Sequence, residues 1–260
     1  MSFDNLNEKF ESKIESKLAE KLKRKKLFDG FKKNKVVNEV LDKRTVMELY
    51  NLIKSNVVLY MNGVVKAGKE SVVFWGKGEN DEDLALKVYL ISTSNFKKRI
   101  QYIIGDPRFT RIKKGTKNLV YIWAQKEFRN LSLCYKKGIP VVKPLHVSKN
   151  ILVMEFIGKD GTPAKTLLES QIDQHDYESS ISLIKMLYNK AKLVHGDFSE
   201  YNIFKTEKGL ILFDLGSAVD LNHPNSNDFL KRDINNITKF FVKRGLTVEH
   251  PFDVLRKVTK

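Results

Sequence analysis

The sequence predicts an α+β protein with two lobes, in which a β-sheet lobe is followed by a helical lobe. The first observation is a set of three runs rich in β-branched and aromatic residues, joined by glycine-containing turns, at 57–65, 71–76 and 84–89. The second is a change of periodicity after Gly158, where apolar residues recur at helical spacing, most clearly at 177–192 and 228–244. The boundary between the lobes is therefore expected near residues 155–161.

The residues before the sheet are expected to form a helical extension over 1–50. Apolar residues recur at three- and four-residue steps between positions 3 and 26, a stripe that indicates one helix. A second helix is expected to start at Thr45, where Thr45 and Glu48 fit a capping box. The predicted domains are this extension, a sheet lobe over 51–156 and a reduced helical lobe over 157–260.

The sheet lobe is predicted to begin with a three-stranded antiparallel sheet made of the first three runs. A helix is expected to follow at 119–136. Two more strands are expected at 141–147 and 151–156, and the second of them leads into the helical lobe.

Composition and charge limit the kinds of partner. The 260 residues carry a formal net charge of +16 and a pI near 9.6, which favours an anionic partner such as RNA. No segment approaches the apolar length of about 18 residues that spans a bilayer, so no membrane partner is expected. Cys134 is the only cysteine, which excludes intramolecular disulfides and zinc sites built from several thiolates. The first residues do not resemble a signal peptide, and a cytoplasmic location is predicted.

The most informative segment runs from Asp197 to Asp214. Asn202 follows Asp197 by five residues and Asp214 follows Asn202 by twelve, an order that suits phosphoryl transfer from a magnesium nucleotide. Asp197 would orient or deprotonate the attacking hydroxyl or water. Asn202 and Asp214 would hold the metal.

The local sequence between these residues predicts a β-hairpin. Two short apolar runs are separated by a four-residue loop that ends in glycine. If Lys205 pairs with Leu210, Asn202 lies opposite Phe213 and Asp214 sits just past the open end of the hairpin. Two oxygen ligands would then reach one hard cation such as Mg²⁺. The alternative is a surface hairpin with ordinary polar flanks.

Lys87 lies in the middle of an apolar strand, where a lysine is rarely buried without a partner. Strand alternation puts it on the same face as Ala85 and Tyr89. The candidate partner is Glu127 on the 119–136 helix, because a lysine–glutamate pair positions nucleotide phosphates in phosphoryl-transfer sites. The alternative is a Lys87 that reaches solvent, with Glu127 on an exposed helix face.

The turn between the first two predicted strands lies where a phosphate-covering loop would be expected. It contains Gly68, which frees the backbone for an unusual turn. Lys69 and the hydroxyl of Ser71 could supply charge and a hydrogen-bond donor to phosphates. A plain hairpin turn is the alternative.

The strand at 151–156 is expected to end in a connector that borders an adenine base. The base would pair with main-chain groups of about Glu155 and Ile157. Met154 would line the back of the pocket. These residues complete the set predicted to bind ATP.

Together these segments resemble the RIO family of atypical protein kinases, and most of all its type-1 branch. The resemblance covers roughly residues 36–260 and rests on the following segments: Ala67-Gly68-Lys69-Glu70-Ser71, Lys87-Val88-Tyr89, Lys126-Glu127-Phe128-Arg129-Asn130-Leu131, Met154-Glu155-Phe156-Ile157-Gly158, His195-Gly196-Asp197-Phe198-Ser199-Glu200-Tyr201-Asn202, Phe213-Asp214-Leu215-Gly216, His223-Pro224 and Phe229-Leu230-Lys231-Arg232-Asp233-Ile234. The segment at 102–109 resembles the flexible loop of the type-1 branch. The N-terminal extension is also too short for the winged-helix domain of the type-2 branch.

The resemblance implies a two-lobed protein-kinase-like fold of the RIO type and a role for each site residue. Asp197 would be the catalytic base, and Lys87 with Glu127 would position the phosphates of ATP. Asn202 and Asp214 would bind Mg²⁺, with Mn²⁺ as an alternative cation. In this family the metal-binding aspartate, here Asp214, can itself accept phosphate as an aspartyl-phosphate intermediate.

The resemblance also implies partners, because the family acts in late maturation of the small ribosomal subunit. There it can work more as an ATPase switch than as a serine/threonine protein kinase. The pre-small ribosomal subunit and its ribosomal RNA would bind basic residues through phosphates. Between residues 96 and 117 the only acidic residue is Asp106, and the basic residues are Lys97, Lys98, Arg99, Arg108, Arg111, Lys113, Lys114 and Lys117. A solvated loop is the alternative for this segment.

Two other functions are weighed against this one. A small-molecule phosphotransferase of the aminoglycoside or choline type shares the His-Gly-Asp…Asn loop but needs a large acceptor-binding helical region. Only 46 residues follow Asp214, without an A-P-E-like segment, which argues against that class and makes peptide phosphorylation less expected than nucleotide chemistry. An RNA-binding pseudokinase scaffold would be expected to have weakened catalytic positions, yet all of them are present.

Overall fold

The computed structural model describes residues 41–91, 99–109 and 115–260. The predicted helix at 3–26 lies outside these residues and stays a prediction. Five basic residues of the 96–117 segment also lie outside them, namely Lys97, Lys98, Arg111, Lys113 and Lys114. Within the described ranges, no helix has the length and apolar content needed to cross a bilayer.

The first lobe is a five-stranded sheet with two helices packed against it. Its elements are α1 (Lys43–Lys54), β1 (Tyr60–Ala67), β2 (Ser71–Lys77), β3 (Asp83–Tyr89), a 3₁₀ turn (Ile100–Tyr102), α2 (Thr116–Lys136), β4 (Pro144–Ser148) and β5 (Ile151–Glu155). The strands are ordered β1-β2-β3-β5-β4, and every neighbouring pair is antiparallel. The predicted sheet lobe is therefore confirmed, and its last two predicted strands join the same sheet as the first three.

The start of helix α1 differs from the prediction. Asp42 is the N-cap, because its Oδ1 accepts hydrogen bonds from the N–H groups of Arg44 and Thr45, at 2.9 and 3.1 Å. The hydroxyl of Thr45 donates to Asp42 Oδ2 at 3.0 Å, so Thr45 already lies inside the helix. The capping box predicted at Thr45 is therefore wrong. Helix α1 also crosses the predicted domain boundary at residue 50.

Two strands of this lobe begin later than predicted. Strand β1 starts three residues late, because the preceding chain still closes helix α1 through a hydrogen bond from Val58 N–H to the Leu52 carbonyl at 3.2 Å. Strand β4 starts after Val141, which instead forms an isolated parallel bridge to Leu212 of the second lobe. This bridge makes the chain around Val141 a contact between the lobes.

The second lobe contains three helices and several short strand pairs. Its elements are β6 (Gly158–Lys159), β7 (Thr162–Pro163), α3 (Gln174–Met186), a π-helical turn (Leu187–Ala191), β8 (Leu193–Val194), β9 (Ile203–Thr206), β10 (Gly209–Leu212), β11 (Val219–Asp220), α4 (Ser226–Lys243) and α5 (Pro251–Thr259). The helix predicted at 228–244 is present as α4. The helix predicted at 177–192 is divided: α3 begins earlier, with Asp173 as its N-cap, and ends before a π turn that closes at Lys192.

Alternation along β3 determines which side of the sheet faces the second lobe. Leu86 and Val88 enter an apolar core shared with helix α1. Ala85 enters the larger core, which continues into the second lobe. Because side chains alternate between faces, Lys87 is directed to the same side as Ala85, towards the second lobe.

Candidate active site

The hairpin predicted between Asn202 and Phe213 is formed by β9 and β10. Its register pairs Lys205 with Leu210, and beyond the last pair the N–H of Phe213 donates to the Asn202 carbonyl at 3.0 Å. Asp214 follows with a φ of 60°, in the left-handed region that residues other than glycine seldom occupy. The hairpin therefore brings Asn202 and Asp214 to its open end, and the uncommon backbone at Asp214 is of the kind found at functional sites.

Lys87 connects the sheet, helix α2 and the hairpin. Its Nζ lies 3.0 and 3.1 Å from the two carboxylate oxygens of Glu127 and 3.0 Å from Oδ1 of Asp214. The hydroxyl of Tyr89, two residues along the same face, donates to the Glu127 carboxylate. The Lys87 side chain is only 8% exposed, so the alternative of a lysine directed to solvent does not hold.

The opposite charges of Lys87 and Asp214 keep both side chains ionised. Burial alone would lower the pKa of Lys87, but the carboxylates of Asp214 and Glu127 outweigh it and raise that pKa. Burial would likewise raise the pKa of Asp214, yet the Lys87 ammonium holds it below its usual value. At neutral pH the site therefore presents a fixed cation beside an anionic Asp214 carboxylate.

Asp197 lies in the loop that precedes the hairpin. Its carbonyl accepts a hydrogen bond from Nδ2 of Asn202 at 2.9 Å, which ties the loop to the hairpin. Burial, reinforced by the nearby carboxylate of Asp214, raises the pKa of Asp197. A raised pKa makes a carboxylate a stronger proton acceptor, as a general base requires.

The same loop is anchored by Asp233 of helix α4. The Asp233 carboxylate accepts hydrogen bonds from the N–H groups of Gly196 at 2.7 Å and Phe198 at 3.0 Å, on either side of Asp197. Gly196 has a φ of 74°, and a Cβ there would lie 2.8 Å from the Ser217 carbonyl oxygen, so glycine is required. Asp233 thus fixes the main chain that carries Asp197, a role that its position in the sequence does not predict.

Replacing Asp233 with asparagine is expected to destabilise the protein, because the side-chain NH₂ group cannot accept one of the two main-chain hydrogen bonds. Leaving one of these buried N–H groups without its acceptor costs about 1–3 kcal/mol. The difference in unfolding free energy between the wild type and Asp233→Asn should also depend on pH, since burial raises the pKa of Asp233 to about 7. The stability due to the protonated carboxyl is complete below the unfolded pKa of 3.8 and is lost as the pH rises towards 7.

Chemical denaturation of the wild type and of Asp233→Asn at about pH 5 and about pH 8 measures this dependence. The difference in unfolding free energy between the two proteins should narrow as the pH rises. Other titrating groups contribute to both proteins and largely cancel in the difference. A difference that stays constant with pH would show that the pKa of Asp233 is not raised.

Most of the predicted site residues meet in one cleft between the lobes, with a volume of about 360 Å³. Eight of them line it: Gly68, Ser71, Lys87, Met154, Glu155, Ile157, Asn202 and Asp214. Lys69 lies in an adjoining recess that also contains Lys87 and Asp214. Glu127 lies behind Lys87 with its side chain fully buried, so it can act on a ligand only through Lys87. Asp197 lies outside the cleft lining and is linked to it by Asn202.

The turn between β1 and β2 has the geometry of a plain hairpin turn. The N–H of Gly68 donates to the carbonyl of Ser71 at 2.9 Å. The backbone of this turn therefore follows the alternative of a plain hairpin turn. Gly68 and Ser71 nevertheless line the cleft, which places the turn beside Lys87.

The end of strand β5 limits how a planar base could be bound. The N–H of Glu155 donates to the Lys143 carbonyl at 2.9 Å, and the Ile157 carbonyl accepts from Ala164 N–H at 2.8 Å. Both groups are therefore already used inside the protein. The pairing expected with adenine would fall to the carbonyl of Glu155 and the N–H of Ile157.

The oxygen atoms at the end of the hairpin fit a magnesium ion bound together with a nucleotide. The hydrogen bond from Nδ2 of Asn202 fixes its amide, whose oxygen is the potential ligand. Asp214 offers a carboxylate that is 34% exposed at the cleft. Mg²⁺ prefers hard oxygen ligands and usually keeps several positions for water and substrate phosphates. Among the residues that the structure describes, no group of three or more His, Cys, Asp or Glu side chains is placed to hold a metal.

Two of the basic residues expected to contact RNA are engaged inside the protein. Arg99 forms an ion pair with Glu70 and lies over the ring of Trp123, with 4.5 Å from its guanidinium carbon to the ring centre. Arg108 donates to both carboxylate oxygens of Asp106, at 2.8 and 2.6 Å, and its Nη1 donates to Asn130 Oδ1 at 2.8 Å. The expectation that Arg99 and Arg108 serve mainly as RNA contacts is therefore not supported by their geometry.

A lysine held by a glutamate from a helix, opposite a loop that carries Asp197, Asn202 and Asp214, is the arrangement found in protein kinases. With a β-sheet lobe and a helical lobe on either side of the cleft, the protein has a two-lobed protein-kinase-like fold. Residues 72–254 match the family model described as the RIO domain. The chain belongs to the RIO family, as predicted.

Named relatives and solved structures agree with this assignment. The serine/threonine-protein kinase RIO1 of Caenorhabditis elegans is 36% identical over 91% of this chain and 48% of its own length. The RIO-type serine/threonine-protein kinase Rio1 of Haloferax volcanii is 38% identical over 81% of this chain and 73% of its own. The predicted resemblance to the type-1 branch is therefore confirmed. The chain spans only about half the length of the nematode relative.

A solved structure supports the fold. The Rio2 kinase from Chaetomium thermophilum, in an ADP/Mg²⁺-phosphoaspartate complex, superposes with a TM-score of 0.61. It is 22% identical in sequence, and the match covers 82% of this chain and 65% of that one. At this identity the likeness shows the fold alone.

Proposed function

We propose that this protein transfers the γ-phosphoryl group of ATP in a Mg²⁺-dependent reaction, as a RIO-type serine/threonine kinase or ATPase. The observation that carries the proposal is the position of Lys87 Nζ, within 3.1 Å of both Glu127 and Asp214 at the edge of the cleft. A cation in this position can bind phosphate oxygens while the anionic Asp214 meets the metal. Mn²⁺ is proposed as an alternative cation.

The residues of the cleft would divide the work of binding. The adenine would lie against Met154 and pair with the carbonyl of Glu155 and the N–H of Ile157. Lys87, held by Glu127, would bind the phosphates, with further contacts from the turn that contains Gly68, Lys69 and Ser71. Mg²⁺ held by Asn202 and Asp214 would neutralise charge on the phosphate oxygens.

Asp214 is proposed as the first phosphate acceptor. Its carboxylate oxygen would form a bond to the γ-phosphorus while the bond from that phosphorus to the β–γ bridging oxygen breaks. The electron pair of the broken bond leaves with ADP. Asp197 would then take a proton from a water or acceptor hydroxyl that attacks the acyl phosphate, which regenerates the Asp214 carboxylate. The phosphoaspartate complex of the Chaetomium thermophilum Rio2 kinase supports this route.

A role in maturation of the small ribosomal subunit in the cytoplasm is part of the proposal. It is supported by family membership and by the net charge of +16, which favours binding to ribosomal RNA. Of the basic 96–117 segment, Lys117 is the described residue that would contribute, together with lysines outside the described ranges. The proposed domains are an N-terminal extension that ends before helix α1 (Lys43–Lys54), a sheet lobe that includes α1 and reaches residue 156, and a reduced helical lobe over 157–260.

The proposal is tested by incubating the purified chain with Mg²⁺ and γ-labelled ATP, with and without pre-small-subunit particles. The wild type should release label from ATP, and particles should raise the rate. Lys87→Met is the matched negative control, because it removes the phosphate-binding ammonium and keeps an unbranched apolar stem. Turnover no higher than that of Lys87→Met would contradict the proposed activity and favour an RNA-binding scaffold. In a parallel incubation that adds an aminoglycoside or choline, transfer of label to that compound would instead favour a small-molecule phosphotransferase.

A further inference from the structure

Lys126 is a buried lysine that the proposed chemistry does not use. It precedes Glu127 on helix α2, and its side chain is 0% exposed. A buried ammonium is costly unless hydrogen bonds compensate for the lost water. Its Nζ donates to the carbonyl of Gly216 at 3.1 Å and to the carbonyl of Ala218, and it lies 4.0 Å from Oδ2 of Asp106. The two carbonyls belong to the turn that follows Asp214.

The same turn is held by a second side chain of helix α2. Asn130 lies four residues after Lys126, on the same side of the helix. Its Nδ2 donates to the carbonyls of Leu215 at 2.8 Å and Ala218 at 2.9 Å. Its Oδ1 accepts a hydrogen bond from Nη1 of Arg108 at 2.8 Å, which fixes the orientation of the amide. Lys126 and Asn130 together bind the carbonyls of Leu215, Gly216 and Ala218.

Packing makes this turn a close fit to helix α2. A Cβ on Gly216 would lie 2.6 Å from Nε1 of Trp123, so the backbone of the turn touches the indole ring. Leu215 is fully buried. The preceding Asp214 has a φ of 60°, a conformation that must be maintained by its surroundings. Side chains of helix α2 therefore bind the residues after Asp214, and Arg108 Nη2 adds a contact to the Ala218 carbonyl at 3.5 Å.

These bonds do not require Lys126 to be charged. Burial lowers the pKa of Lys126 to about 7, with Asp106 acting in the opposite direction. A neutral amine still has two N–H donors, enough for the carbonyls of Gly216 and Ala218. Lys126 can therefore hold the turn by hydrogen bonds alone, whether or not its amine is protonated.

We infer that Lys126 and Asn130 are positioning residues, which hold the turn after Asp214 so that its carboxylate faces Lys87 and the metal position. The inference rests on the proposed function, in which Asp214 is metal ligand and phosphate acceptor. With this role, helix α2 positions both Lys87 and Asp214. Glu127 sets the position of Lys87, while Lys126 and Asn130 set the position of Asp214.

Lys126→Met tests the inference, with Lys136→Met as the matched control at the exposed end of the same helix. Removal of the donors should raise the Mg²⁺ concentration for half-maximal ATP turnover by about tenfold or more, the usual effect of losing a partner of a metal ligand. The KM for ATP at saturating Mg²⁺ should change little, since Lys87 and Glu127 keep their contacts. Hydrogen exchange of the amides at 215–218 should become faster in Lys126→Met and stay unchanged in Lys136→Met.

The outcomes separate this inference from the function on which it rests. A wild type without Mg²⁺-dependent turnover would refute the proposed function. If the wild type responds to Mg²⁺ and Lys126→Met responds identically, or if exchange at 215–218 is unchanged, the positioning role is overturned. A purely structural role would lower the amount of active protein and leave the Mg²⁺ dependence of the remainder unaltered. Should Lys126→Met fail to fold, Asn130→Ser decides by the same two measurements.

Discussion

Replacing Asp197 with asparagine is expected to lower the rate of ATP turnover by about two to four orders of magnitude, the usual contribution of acid–base catalysis. The substitution keeps the shape of the side chain but removes its capacity to accept a proton. Burial and the neighbouring carboxylate of Asp214 raise the pKa of Asp197, which makes it a better base than an exposed aspartate. An asparagine in the same place can align the acceptor without taking its proton.

The surroundings of Asp197 make the result interpretable. Its peptide is held by Asp233, which accepts from Gly196 N–H and Phe198 N–H, and by Asn202, which donates to the Asp197 carbonyl. These bonds use main-chain atoms of the loop and survive the substitution. Most residues expected to bind ATP line the cleft, whereas Asp197 lies outside its lining, so ATP affinity should be largely retained.

Steady-state kinetics with ATP binding measured separately checks this expectation. Asp160→Asn is a suitable control, because Asp160 is exposed and its φ of 51° is one that asparagine tolerates. Turnover of Asp197→Asn within a factor of about two of the wild type would remove Asp197 from the proton transfer. Loss of ATP binding together with turnover would instead indicate that the loop has been displaced.

The parts of the site that could be predicted are those set by local periodicity. The pairing of Lys205 with Leu210 is predicted from two apolar runs around a loop, and the structure has this register. The predicted four-residue loop is wrong, because Thr206 also pairs with Gly209 and the turn between the strands has two residues. Strand alternation gives the face of Lys87, but its pairing with Glu127 is predicted from the chemistry of phosphoryl-transfer sites, and the structure contains this contact. Short-range rules suffice for the hairpin, whereas the Lys87–Glu127 pair also required the catalytic motif that begins at Asp197.

The parts that could not be predicted depend on main-chain partners distant in sequence. Asp233 binds the amides of Gly196 and Phe198, 37 and 35 residues away, and an amide leaves no mark in the sequence. Lys126 appears in the sequence as one polar residue of a helix, although its partners are carbonyls 90 and 92 residues away. Sequence patterns identify reactive side chains, but they do not show which main-chain N–H and C=O groups those or other side chains will bind.

The first turn of α1 shows a different limit. Thr45 and Glu48 satisfy the spacing of a capping box, yet Asp42 is the better cap because its carboxylate reaches two N–H groups. Glu48 is used elsewhere, in contacts with Ser148 and Lys149 at the far end of the sheet. A local motif was therefore overruled by a competing local cap and by a tertiary contact of one of its members.

Replacing Asp214 with asparagine is expected to abolish covalent labelling by γ-labelled ATP and to lower turnover by about three orders of magnitude or more, the scale for loss of a nucleophile. Asparagine tolerates the left-handed backbone that Asp214 adopts at a φ of 60°, so the turn should keep its shape. What is lost is the anionic oxygen that Lys87 keeps ionised at 3.0 Å. The wild type should carry label that hydroxylamine removes, because an acyl phosphate is cleaved by that nucleophile.

A second variant separates the two roles assigned to Asp214. Asn202→Ala removes one predicted metal ligand but leaves the Asp214 carboxylate in place, so it should form the same hydroxylamine-labile label more slowly. If Asp214 served only as a metal ligand, the two variants would behave alike, and neither they nor the wild type would show such a label. Label that is stable to acid and hydroxylamine, and that persists on a serine in the wild type, would mean direct transfer to a hydroxyl. Because the position of Asp214 depends on hydrogen bonds from helix α2, Lys126→Met should also form the labile label slowly. Labelling of this variant at the wild-type rate would show that the hydrogen bonds from Lys126 to the turn do not affect phosphorylation of Asp214.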